Sequence, residues 1–75
     1  MTQKETHNRI EYIVSCVGEF AMQNRLTNAQ SYLYLKQFGG IEFLTQFYEA
    51  EHLLSIDDAV ADLKNICLRN GGTIA

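Results

Sequence analysis

The sequence holds no proline and only two cysteines, and none of its apolar runs approaches the ~20 residues that a membrane-spanning helix needs. Disulfide networks, clustered zinc ligands and other staples of very small domains are therefore not apparent. Cys16 and Cys67 stand far apart, each inside a helical pattern, and are expected to be reduced, at least partly buried and to act as small hydrophobes. The first residues, Met1 to Asn8, do not follow the basic-then-apolar pattern of a secretory signal, so the expected compartment is the cytoplasm and no membrane partner is expected. Basic residues are also scarce. Lys4, Arg9, Arg25, Lys36, Lys64 and Arg69 are scattered against nine acidic residues, for a formal charge of −3. Affinity for nucleic acid rests largely on lysine and arginine neutralising phosphates, so no nucleic-acid partner is expected.

Nearly half of the 75 residues are hydrophobic and a fifth are charged, the balance of a folding globular chain. That length allows one domain, residues 1–75, with a thin core, since so short a chain buries only about 60–65% of its unfolded surface. The pattern throughout is helical. Ile10, Ile13, Val14, Val17, Phe20 and Ala21 recur at steps of three and four, with Tyr12, Cys16 and Met22 beside them. Gly18 interrupts this run at about 1 kcal/mol relative to alanine, a loss that close approach of another helix can offset. Thr27 with Gln30 forms a capping-box signature, and Gly39-Gly40 ends the helix it opens, which runs through Ala29, Tyr32, Leu33 and Leu35. A third helix carries Ile41, Phe43, Leu44, Phe47 and Tyr48 on its apolar side and Glu42, Gln46, Glu49 and Glu51 on its polar side. Ser55 caps a fourth, whose inner stripe is Ile56, Val60, Leu63 and Cys67 and which Gly71-Gly72 closes. The expected fold is thus an all-α compact bundle of about four short helices, roughly 6–23, 28–38, 41–52 and 56–70, with residues 1–7 and 73–75 frayed.

Several chemistries can be weighed on these elements. Helix, glycine turn, helix is the outline of a helix-turn-helix DNA reader, but its recognition helix, Ile41 to His52, would hold three glutamates and no lysine or arginine. Gly39-Gly40 lacks the lysine and the longer glycine pattern of a phosphate loop, and buried cysteines make poor nucleophiles. No cofactor is implied. One polar set stands out: Tyr48 and His52, four apart on one helix face, with Asp57, Asp58 and Asp62 following. His52 could serve as a metal ligand or general acid/base, or it could close its helix and tie down the next loop by bonding Asp58 or Asp62. The structural role is preferred, because His52, Asp57 and Asp58 have no regular ligand spacing and His7 lies in the exposed N-terminal stretch. All eight aromatic residues fall between Tyr12 and Tyr48, more than a core of this size can easily hide. Tyr32, Tyr34, Phe43 and Phe47 are the candidates for a face shared with another chain.

The order Tyr48-Glu49-Ala50-Glu51-His52, followed by Val60-Ala61-Asp62-Leu63, resembles a small bacterial family, domain of unknown function 3791. The Ile10 to Phe20 helix and the Leu35-Lys36-Gln37-Phe38-Gly39-Gly40-Ile41 turn followed by Leu44 fit the same pattern, so the likeness runs from about residue 9 to residue 65. Leu53 departs from it, standing where many members carry threonine after the histidine. The resemblance implies a small helical protein without an assigned activity. It also implies a neighbouring toxin-like enzyme as a binding or neutralising partner. The function expected first is a non-catalytic protein-interaction module, as a homodimer or as the small subunit of a toxin-antitoxin-like pair. A small metal-binding protein or enzyme centred on Tyr48, His52 and Asp62 comes second, and DNA binding third.

Overall fold

The structure is a computed structural model that describes residues 3–73. The described residues form five helices in order: α1 Gln3–Gln23, α2 Asn28–Gln37, α3 Gly40–Gln46, α4 Tyr48–Glu51 and α5 Ile56–Arg69. The described residues form no strand, and the expected all-α bundle is present. Residues 1, 2, 74 and 75, part of the stretches expected to fray, lie outside the described residues, and α1 is already helical at Gln3.

The boundaries follow from local chemistry. Thr27 accepts a hydrogen bond from the Gln30 amide at 3.1 Å while the Gln30 side chain accepts from the Thr27 amide at 2.9 Å, which completes the capping box. Ser55 Oγ accepts from the Asp58 amide at 3.1 Å, and Asp57 and Asp58 occupy the electropositive first turn of α5. Gly39 takes the left-handed φ of 83° that turns the chain from α2 into α3. Gly40 sits so close to α2 and α5 that a Cβ would stand 2.8 Å from Leu35 Cδ2 and 3.3 Å from Cys67 Sγ.

The expected 41–52 helix is broken at Phe47, whose φ of −109° and ψ of 24° leave helical geometry. The ladder resumes with the Glu51 amide donating to the Phe47 carbonyl at 2.9 Å. No glycine or proline marks this break. It re-aims the short α4, which buries Glu51 and lays Tyr48 on Tyr12 and Arg9.

Cys16 and Phe20 from α1, Leu35 from α2, Leu44 from α3, and Val60, Leu63 and Cys67 from α5 form the core. Each fully buried leucine or phenylalanine contributes about 1.5–3 kcal/mol. Cys16 lies at the centre of the inner stripe rather than beside it, and Ile10 and Val14 remain outside, 55% and 63% exposed. Both cysteines are free and buried. In α2 the inner positions are Ser31 and Leu35, with Tyr34 and Phe38 half-buried, so Ala29, Tyr32 and Leu33 point outward. Ser31 holds a core position because its hydroxyl donates to the Val17 carbonyl at 2.8 Å, joining α2 to α1. Gly18 does not serve packing within the chain, because nothing lies within 4 Å of the place a Cβ would take.

Candidate functional site

Two surfaces differ from an ordinary solvated helix face. The first is a polar seam where α1, α4 and α5 meet. Arg9, Tyr12 and Cys16 reach it from one side of α1, at steps of three and four. The Arg9 guanidinium carbon lies 4.6 Å from the centre of the Tyr48 ring, within cation–π range, and Tyr12 meets that ring edge-on at 5.4 Å. Tyr48 stacks on His52 with ring centres 4.5 Å apart. A cleft of about 430 Å³ opens here, lined by Asn8, Arg9, Tyr48, Glu49 and His52.

His52 Nδ1 lies 2.7 Å from the Tyr48 carbonyl. A carbonyl only accepts, so Nδ1 carries the proton, and the ring closes its own short helix instead of bonding an aspartate of α5. The set expected from the sequence, Tyr48, His52 and Asp62, is therefore divided. Tyr48 and His52 stack together, whereas Asp62 is a neighbour of Glu51. Among the described residues no three histidine, cysteine, aspartate or glutamate side chains converge to hold a metal.

Glu51 is the residue that sequence reading passed over. It was assigned to the polar side of its helix, yet it is only 7% exposed and its Oε1 has no hydrogen-bond partner. Burial, and then the adjacent Asp62 carboxyl, push its pKa up to about 7. Two neighbouring carboxyl groups can share a hydrogen bond only when one of them is protonated, so the seam favours a neutral Glu51. Burial likewise raises the Tyr12 hydroxyl well above the usual phenol range, with Cys16, Glu51 and Tyr48 adding to the effect. It also raises both thiols, so neither Cys16 nor Cys67 is an activated thiolate. One signal was available: Glu51 follows buried Leu44 by seven residues, which continues the core stripe through Tyr48.

The second surface is apolar. Ile10, Ile13, Val14 and Val17 of α1, Asn28 and Tyr32 of α2, and Ile41 of α3 line a groove of about 360 Å³. Tyr32 is 43% exposed at its wall. The other candidate interface aromatics are placed elsewhere. Tyr34 is half-buried, stacked on Phe20 at 5.6 Å and against Phe38 at 5.0 Å. Phe43 is half-buried against the core and touches Phe47, which is 48% exposed.

Fold and surfaces together define a small all-α domain with a protonatable seam and an apolar groove. The family model described as "Protein of unknown function (DUF3791)" matches residues 11–70, and the chain belongs to that family. No curated protein and no solved structure matches it.

Proposed function

We propose that the protein is a non-catalytic interaction module that receives an apolar helix of a second protein in the groove between α1 and α2. The observation that carries this reading is the exposure of Ile10, Val14 and Tyr32 around one cavity, in a chain whose own core is complete without them. A contiguous apolar surface with a concave centre is the usual form of a helix-in-groove site. The groove walls carry no charged side chain, so the matching segment would present aliphatic or aromatic residues at helical spacing. The small subunit of a two-protein system, with the toxin-like enzyme implied by the family resemblance as its partner, is a concrete form of this proposal.

The seam speaks less for catalysis. Its histidine is occupied at Nδ1, its one thiol, Cys16, is held neutral by burial, and its Glu51 carboxyl is buried beside Asp62. No helix among the described residues is long and apolar enough to cross a membrane. The 41–52 helix outlined for DNA reading is divided at Phe47 into two short pieces, which supports the groove reading over that alternative. The paired substitution Ile10→Ser with Tyr32→Ser tests the groove. It should leave the circular dichroism spectrum unchanged and remove capture of the partner, whereas capture at the wild-type level would contradict the reading.

A further inference from the structure

A glycine in the middle of a 21-residue helix calls for a reason, and the packing of α1 within the chain supplies none for Gly18. Its surroundings in the chain are palindromic. Four residues to either side stand Val14 and Met22, 63% and 76% exposed, and seven residues to either side stand Glu11 and Arg25, also exposed. Steps of four and seven keep Glu11, Val14, Gly18 and Met22 on one face of α1. Arg25 stands in the turn that follows α1, at a φ of 57°, off the helix face but at the end of the same stripe.

We propose that this outer stripe of α1 is a self-docking surface, through which two copies of the chain pair antiparallel with Gly18 at the two-fold axis. In that register Val14 meets Met22 of the second copy, and Glu11 meets Arg25 of the second copy. Two exposed apolar contacts and two opposite-charge contacts form at once, the self-complementarity that a two-fold interface requires. A parallel pairing would instead set Glu11 against its own copy, so charge selects the antiparallel one. Gly18 lets the two backbones approach at the crossing point, where the separation of packed helices is set by the side chains in contact. The competing interaction is weak: Glu11 meets His7 at 3.0 Å within its own helix, both side chains mostly exposed.

This surface does not depend on the groove reading but shares Val14 with the groove wall, so Val14 is left unchanged in the test. Sedimentation equilibrium from about 10 μM to about 1 mM should show a monomer–dimer equilibrium. Gly18→Ala should raise the melting temperature of the monomer, since the added methyl has space, and yet weaken dimerisation by about tenfold. Glu11→Arg and Arg25→Glu should each weaken the dimer, and the double exchange should restore it. The Ile10→Ser, Tyr32→Ser variant should dimerise as the wild type does. A chain that is monomeric throughout that range would overturn the proposal, as would a dimer indifferent to Gly18→Ala or a charge exchange without rescue.

Discussion

Glu51 adds its own pH dependence to the stability of the fold. Its carboxyl titrates near 4.5 in an ordinary environment and near 7 in the fold, so the folded state holds a proton that the unfolded chain releases. Its contribution to stability is then greatest below about 4.5, declines as the pH rises towards about 7, and stays lower above it. Each unit corresponds to about 1.4 kcal/mol, and partial solvent access at Asp62 reduces the whole effect to roughly 1–2 kcal/mol. Glu51→Gln removes the titration while keeping the shape. Urea denaturation at about pH 5 and about pH 8 should show the variant gaining on the wild type at the higher pH; equal slopes for the two proteins would refute the assignment. Ser31 makes a second prediction at this scale. Its hydroxyl is fully buried on the Val17 carbonyl, and Ser31→Ala should lose about 1 kcal/mol in the same measurement. The role of Ser31 was not legible in the sequence, and that of Glu51 showed only in its seven-residue spacing from Leu44. A glutamate reads as surface and a serine as cap or loop, until tertiary packing assigns each a buried position.

The helices themselves were largely legible, because their limits are set by neighbours a few residues away. Thr27 with Gln30, Ser55, Gly39 and Gly71 act where the sequence places them. Thr27→Ala should therefore destabilise the protein by about 1 kcal/mol, with hydrogen exchange accelerated first in the opening turn of α2. The break at Phe47 was not legible, since no glycine or proline stands there and the apolar period runs through it. What divides α3 from α4 is long-range: Tyr48 meets Tyr12 and Arg9 of α1, and Glu51 meets Asp62 of α5. The same argument covers α2, whose apolar residues Ala29, Tyr32, Leu33 and Leu35 were read together although its buried edge is Leu35 with Ser31. Gly40→Ala belongs to this scale as well. The methyl would press Leu35 and Cys67, both fully buried, and the expected loss is about 1–3 kcal/mol by thermal or urea unfolding.

For the whole molecule, the core is closed around Phe20, Leu35, Leu44 and Leu63, and the exposed apolar residues are left over rather than missing from it. Composition made such a surplus legible, but it placed the surplus on the aromatic residues of α2 and α3. In the fold Tyr34 and Phe43 are half-buried while Phe47 is exposed, and the groove is built mainly from α1 aliphatics with Tyr32 at their edge. That surface underlies the central claim, that the groove between α1 and α2 receives a helix of another protein. The most direct measurement is capture from the native cell extract, run in parallel with immobilised wild-type protein and the Ile10→Ser, Tyr32→Ser variant. The account predicts one protein retained by the wild type and released by the folded variant. Retention of the same protein by both, or by neither, would contradict it.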